Sequence, residues 1–192
     1  YACFNTGYKY SADALDAWGD VLAANPRAAL WMLRWPESEA HLRREARARG
    51  IRNDSLVFTD LLPRETHLRW KALADVFLDT LAFNGHGTLA QMLWMGVPTV
   101  TLPLERIGQR IGAAVVRASA AAELVALTRE DYIQVAVALG RPSGRKKLAR
   151  IRKRLQASRW GGAPLFDIEG YVRDYERLLM STWDAYTHTA DY

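Results

Sequence analysis

The residues most suited to chemistry lie in a short glycine-rich stretch near the middle of the 192-residue chain. Gly85, His86 and Gly87 stand directly ahead of a segment whose apolar residues have helical spacing. Glycines where a chain enters a helix leave its first N–H groups uncovered, at the positive end of the helix dipole. His86 and Thr88 add side-chain donors there, which predicts a phosphate site. A turn that only caps the helix explains so short a motif equally well.

Cationic and aromatic side chains elsewhere in the chain can contribute to the same site. Lys9 follows an apolar first segment, and a lysine at the carboxyl end of a strand can neutralise a phosphate. An ordinary surface lysine is the alternative. His67 can stack on a base or hydrogen-bond to it, with Arg64 and Arg69 as neighbouring donors. A surface histidine is the alternative there.

The pattern of apolar residues predicts the elements that position these side chains. Strands are predicted at residues 1–4, 29–33, 55–58, 76–78 and 98–102, and helices at 11–24, 37–50, 64–74 and 88–95. Further helices are predicted at 107–118, 128–139, 143–158 and 167–186. The alternation indicates an α/β fold, a parallel sheet flanked by helices, whose ligands bind beyond the carboxyl ends of the strands. Lys9 and His86 would then share one sheet edge.

Composition and charge restrict the function classes. Cys3 is the one cysteine, so neither an internal disulfide nor a cysteine-based metal cluster is expected, and no metal-binding motif is visible. Residues 141–159 hold nine lysines and arginines and no acid. The excess positive charge behind the net charge of +5 is therefore concentrated in this segment. This argues against general nucleic-acid binding. The basic segment 145–154 is either a solvated helix or a contact for a membrane or partner.

Several motifs in the same order resemble one known family. They are FNTGYK at 4–9, WMLRWP at 31–36, HLR at 67–69, LADVFLDT at 73–80, NGHGT at 84–88, LWMGVPTVTLP at 93–103 and PLF at 164–166. The chain resembles the C-terminal catalytic half of the O-GlcNAc transferases, which have the GT-B fold. The resemblance implies a Rossmann-like UDP-binding C-terminal lobe at residues 1–140 and a helical extension at 141–192. It also implies that the chain is part of a longer protein.

The resemblance assigns roles to individual positions. It implies that Lys9 is catalytic and contacts the donor diphosphate, as does the helix start at His86, Gly87 and Thr88. His67 would stack near the uracil and Arg64 would reach the ribose. The full set of implied donor-binding residues is Thr6, Lys9, Arg64, His67, His86, Gly87, Thr88 and Gln91, with no metal.

Four positions differ from the family pattern. Thr6 replaces a glutamine that helps to bind phosphate, and Trp70 replaces an arginine near the uracil. Gln91 replaces an aspartate that contacts the ribose, and Gly87 replaces a threonine. These differences leave the identity of the donor open.

The family's reaction is transfer of GlcNAc from UDP-GlcNAc to serine or threonine hydroxyls of intracellular proteins, with inversion and without a metal or cofactor. The implied partners are these acceptors, an N-terminal catalytic lobe and tetratricopeptide repeats, in the cytoplasm or nucleus. Nucleotide binding without sugar transfer is expected of this chain alone. Two alternatives remain: O-fucosyl transfer from GDP-fucose, and a non-catalytic nucleotide-binding module.

Overall fold

A parallel sheet forms the centre of the molecule. The computed structural model describes residues 1–189, apart from the side chains of residues 37 and 189. The strands are β1 (Ala2–Cys3), β2 (Leu30–Leu33), β3 (Leu56–Thr59), β4 (Phe77–Leu78) and β5 (Thr99–Val100). Within the described residues they form one five-stranded sheet of order β3-β2-β1-β4-β5, with every pairing parallel. The predicted α/β fold with a parallel sheet is therefore confirmed.

Helices connect the strands and follow them. They are α1 (Ala12–Ala24), α2 (Pro36–Ala48), α3 (Arg64–Lys71), α4 (Gly87–Trp94), α5 (Ile111–Arg117), α6 (Arg129–Gly140), α7 (Arg145–Ala157) and α8 (Ile168–Thr189). Short 3₁₀ helices include Gly7–Lys9 and Ile107–Gln109. Several predictions were wrong in extent: the strands predicted at 1–4 and 98–102 pair only over Ala2–Cys3 and Thr99–Val100, and two helices also differ. The helix predicted at 107–118 is a 3₁₀ turn followed by α5. The helix predicted at 64–74 ends at Lys71, because tighter turns involving Leu73 and Ala74 follow it.

Local signals in the sequence explain where helices begin and end. The Ser11 side chain accepts a hydrogen bond from the backbone N–H of Ala14, which confirms Ser11 as the N-cap of α1. Gly50 and Gly96 have φ angles of +73° and +77°, and each lies two residues after the last residue of α2 or α4. A side chain is disfavoured in that left-handed conformation, so glycine is suited to both places.

The sheet order reverses between β1 and β4. The chain moves outward from β1 to β2 and β3, then returns to place β4 on the other side of β1. The loops that follow β1 and β4 therefore lie side by side and lead in different directions. Such a switch point is where parallel sheets bind ligands.

The basic helix α7 is packed against the lobe. Ile151 and Leu155 are buried in the main core, while Lys146 and Lys147 are exposed. The Arg152 guanidinium donates to the backbone oxygens of Ala72 and Ala74 at 2.7 and 2.6 Å. These contacts tie α7 to the turn after α3. The division of the chain at residue 140 stays a prediction.

The last helix, α8, is different in character. Several of its large apolar residues, including Tyr171, Leu178 and Trp183, are more than half exposed. Within residues 1–189, no helix combines the length and the apolar character that crossing a bilayer requires.

Candidate functional site

Lys9 and the glycine-rich stretch meet at the switch point of the sheet. The Lys9 Nζ donates to the backbone oxygen of Asn84 at 2.8 Å and lies 4.6 Å from the centre of the Phe83 ring. The His86 ring packs against the same Phe83 ring, with 5.0 Å between the two ring centres. The prediction that Lys9 and His86 share one sheet edge is confirmed. Their roles toward a ligand stay predictions.

Lys9 is a buried residue, and its ammonium lacks a carboxylate in direct contact. The residue is 8% exposed, and among the described residues no acid lies within ion-pairing distance of Nζ. Burial lowers the pKa of Lys9, and the charge of the nearby Asp79 carboxylate partly offsets this. An ammonium has three donors, and Asn84 accepts one of them. The group is therefore prepared to receive an anion.

The start of α4 offers backbone donors to the same place. The N–H groups of Gly87, Thr88 and Leu89 have no acceptor within the part of the chain that the structure describes. Gly85 differs from the prediction. Its N–H was expected to be uncovered but donates to the Asp79 carboxylate at 2.8 Å. The donors available to an anion therefore begin at Gly87.

His86 directly precedes these donors and lies close enough to Lys9 to feel its charge. Burial lowers its pKa, and the positive charge of Lys9 lowers it further, so the ring is neutral at pH 7. Its Nε2 atom is buried and has no hydrogen-bond partner among the described residues. A neutral imidazole has one donor and one acceptor nitrogen, which allows it to bond a polar ligand.

The Asp79 carboxylate, directly after β4, holds the loop 80–85 in place through hydrogen bonds. It is fully buried and accepts from the N–H groups of Thr80 and Gly85 at 2.9 and 2.8 Å. It also accepts from the Thr101 hydroxyl at 2.7 Å and the Asn5 amide at 3.3 Å. Burial raises the pKa of Asp79 to about 6 against the effect of these four bonds. One carboxylate thus joins the ends of β1, β4 and β5.

Gly85 is confined by its neighbours. A Cβ atom at this position would lie 2.7 Å from Asn5 Oδ1 and 3.0 Å from Leu89 Cγ. Both neighbours are buried, and Asn5 cannot move away without disturbing its bond to Asp79.

Gly85→Ala should therefore lower the free energy of unfolding by about 1–3 kcal/mol, through overpacking. Gly87→Ala is the matched control for stability, because a Cβ there meets nothing within 4 Å. Chemical denaturation of both variants measures the difference. Equal unfolding midpoints would contradict the argument.

The other predicted positions are distributed around the same edge. His67 packs edge-on against Phe4, which directly follows β1, with 5.9 Å between ring centres. Burial and the charge of Lys71 lower the pKa of His67. Gln91 accepts a bond from Lys71 Nζ at 2.5 Å. Thr6 is the N-cap of the 3₁₀ helix that carries Lys9.

Arg64 and Trp70 are less closely connected to this group. Arg64 is exposed at the start of α3, and no ion pair joins it to another described side chain. Trp70 is 41% exposed and packs against Trp31, with 6.2 Å between ring centres. No described contact brings either residue to Lys9 or His86.

Sequence reasoning missed Asp79, Phe83 and Lys71. An acid directly after a buried strand was a visible signal for Asp79, because that position lies on the ligand edge of a parallel sheet. Phe83 had no such signal. Lys71 lies in a polar helical segment, and its burial depends on how α3 and α4 pack.

Comparison with known proteins identifies the family. The sequence model of the family described as glycosyl transferase family 41 matches residues 1–175. A UDP-N-acetylglucosamine–peptide N-acetylglucosaminyltransferase of Caenorhabditis elegans is 39% identical over 184 residues, which is 95% of this chain and 16% of that protein. A probable enzyme of the same description, SEC of Arabidopsis thaliana, is 37% identical over 186 residues, 96% of this chain and 19% of that protein.

A solved structure supports the same relationship. The K341M mutant of the Thermobaculum terrenum O-GlcNAc transferase superposes with a TM-score of 0.89 at 33% identity, over 98% of this chain and 36% of that one. The predicted GT-B lobe is thereby confirmed. The chain spans less than a fifth of the length of the two curated relatives. It belongs to glycosyl transferase family 41, the family of the O-GlcNAc transferases.

Proposed function

We propose that this chain is the donor-binding lobe of a protein O-GlcNAc transferase, and that the Lys9 edge binds the diphosphate of UDP-GlcNAc. The observation that carries the proposal is the meeting of two kinds of donor. The Lys9 ammonium and the free N–H groups at the start of α4 both adjoin the loop 83–86. Two negatively charged phosphates require such donors. The choice of UDP-GlcNAc as the ligand rests on the names of the curated relatives.

The proposed orientation of the donor follows from the layout of the helices. The diphosphate binds between Lys9 and the residues His86, Gly87 and Thr88. The uridine then extends toward α3, where His67 stacks near the uracil. The remaining predicted residues, Thr6, Arg64 and Gln91, complete the phosphate and ribose contacts.

The proposed reaction is attack of a serine or threonine hydroxyl on the anomeric carbon of GlcNAc, with inversion and departure of UDP. Negative charge develops on the β-phosphate as the bond to the sugar breaks. The Lys9 ammonium and the N–H groups of α4 are fixed before the reaction begins, so they stabilise that charge without reorganising. In the proposed reaction these protein donors take the place of a metal ion in stabilising the departing UDP. One fixed donor of this kind contributes about a 100- to 1,000-fold rate increase.

The acceptor side of the reaction is proposed to lie in other parts of the full protein. An N-terminal lobe and tetratricopeptide repeats would hold the protein substrate and supply the general base. The short share of each curated relative that this chain covers, 16% and 19%, supports this division. We expect the chain alone to bind nucleotide without transferring sugar, and the full protein to act in the cytoplasm or nucleus.

Calorimetry with UDP and GDP tests the proposal on the purified protein. UDP should bind at least tenfold more tightly than GDP, because the relatives of this chain are named for UDP-N-acetylglucosamine. A preference for GDP would favour O-fucosyl transfer instead. Absence of UDP binding at millimolar concentration would overturn donor binding and favour a non-catalytic module.

A further inference from the structure

Lys71 is a buried cation whose described partner is neutral. It is 2% exposed, and its Nζ donates to Gln91 Oε1 at 2.5 Å. Within residues 1–189, excluding side chains 37 and 189, no carboxylate lies within ion-pairing distance of it. Burial lowers the pKa of Lys71 to about 8, so the ammonium form still predominates at pH 7. Burying an ammonium without a counter-ion opposes folding, so its position requires an explanation.

The position of Lys71 is between the two helices that border the proposed uridine site. It is the last residue of α3, one helical turn after His67. Its charge lowers the pKa of His67, so the two groups interact. Gln91 lies on α4, one turn after Gly87 and Thr88, and hence on the same face as the start of the helix. The Lys71–Gln91 bond therefore joins the proposed base side of the site to its proposed phosphate side.

The bond also determines how the Gln91 amide is oriented. An ammonium group can only donate, so the oxygen of the amide must face Lys71. The nitrogen, Nε2, then faces away from Lys71. It has two N–H donors, and the bond from Lys71 is the one side-chain hydrogen bond that Gln91 makes among the residues that the structure describes. Gln91 is only partly buried, so a ligand can reach it.

We propose that Lys71 is a positioning residue of the donor site, which holds the Gln91 amide so that Nε2 donates to a hydroxyl oxygen of the bound ribose. This inference rests on the proposed binding of UDP. The ribose is the part of the nucleotide between a diphosphate at the start of α4 and a base beside His67. Its 2′ and 3′ hydroxyl oxygens are acceptors that match the free donors of Gln91.

The experiment compares the binding of UDP, 2′-deoxy-UDP and 3′-deoxy-UDP by calorimetry. The original protein should bind UDP about three- to tenfold more tightly than one of the deoxy analogues, the value of one hydrogen bond. In Lys71→Met the amide is no longer held, so this preference should fall to nearly onefold. Affinity for the deoxy analogue should stay unchanged. Gln91→Met should give the same pattern, and the double variant should add nothing further.

Matched controls separate this role from a purely structural one. Lys147→Met makes the same substitution at an exposed lysine of α7 and should retain the full preference. Thermal unfolding, followed by circular dichroism, checks that each variant is folded. Lys71→Met is expected to fold, because methionine has a similar shape and removes a buried charge. If it does not fold, Gln91→Met still tests the proposal.

Three results would overturn the inference. One is a Lys71→Met or Gln91→Met protein that keeps the preference for UDP. Another is an equal loss of affinity for all three nucleotides, which a general structural role predicts. The third is an original protein that binds all three equally. An original protein that binds none of them would overturn the proposed function as well, which distinguishes the two failures.

Discussion

Replacing Asp79 with alanine should lower the free energy of unfolding by about 2–5 kcal/mol and abolish UDP binding. The substitution leaves the buried N–H groups of Thr80 and Gly85 without an acceptor, and each such loss costs about 1–3 kcal/mol. The hydroxyl of Thr101 and the amide of Asn5 lose a partner too. Because Gly85 leads into the donors of α4, the anion site should be lost with the loop.

Asp79→Asn is the control for this prediction. The asparagine oxygen can still accept from the Thr80 and Gly85 N–H groups, and its nitrogen can donate to the Thr101 hydroxyl oxygen. At pH 7 we expect Asp79→Asn to be no less stable than the original protein, because it keeps the acceptors and removes a buried charge, and we expect UDP binding to be retained. Chemical denaturation and calorimetry on both variants measure the contrast. An asparagine variant as unstable as the alanine variant would show that the negative charge matters more than the acceptors.

The pH dependence of stability gives a second measurement on the same pair. Burial raises the pKa of Asp79 to about 6 from 3.8, so between these values the folded state binds more protons than the unfolded state. Stability from this group therefore falls as pH rises from about 4 to 6. Relative to Asp79→Asn, the original protein should lose up to about 3 kcal/mol across that range. A difference between the two proteins that does not change with pH would contradict this.

Replacing Lys9 with alanine should weaken UDP binding by about 1–3 kcal/mol, or roughly 5- to 150-fold. In the full transferase, the rate of sugar transfer should fall by about 100- to 1,000-fold or more, because the charge on the departing UDP loses a fixed donor. Lys9 is 8% exposed, and within the described residues its ammonium has Asn84 as its hydrogen-bond acceptor. Stability should change little compared with these losses.

Lys147→Ala removes an exposed lysine from α7 and should leave UDP affinity as it was. Calorimetry with UDP and an assay of sugar transfer by the full protein provide the two measurements. Unchanged UDP affinity in Lys9→Ala would refute contact between Lys9 and the diphosphate. Lower affinity with an unchanged transfer rate would limit Lys9 to binding.

The elements of the fold were predictable because they depend on local patterns. The alternation of short apolar segments with amphipathic ones led to the strands and helices to within a few residues. Ser11 and Gly96 marked helix ends through backbone chemistry that acts over four or five residues. The convergence of Lys9 and His86 followed from the same pattern, since parallel strands present their carboxyl ends together.

The hydrogen-bond network inside the site was not predictable from local patterns. Whether the Gly85 N–H is free depends on Asp79, and the position of Asp79 is fixed by Thr101 and Asn5, which follow two other strands. The burial of Lys71 likewise requires α3 and α4 to be packed together. Both features arise from contacts between distant segments, which the spacing of residues along the chain does not encode.

The contacts that build the site also determine when it can form during folding. Asn5 bonds to Asp79 and Thr80, which are 74 and 75 positions away, and Lys9 bonds to Asn84 across 75 positions. Such distant pairings are slow to form because a long loop of chain must close first. A partly folded chain with its helices in place would thus still lack the anion site formed by Lys9 and the start of α4. A nucleotide would recognise only chains in which the middle of the sheet is complete, and its binding would favour the finished fold over every intermediate.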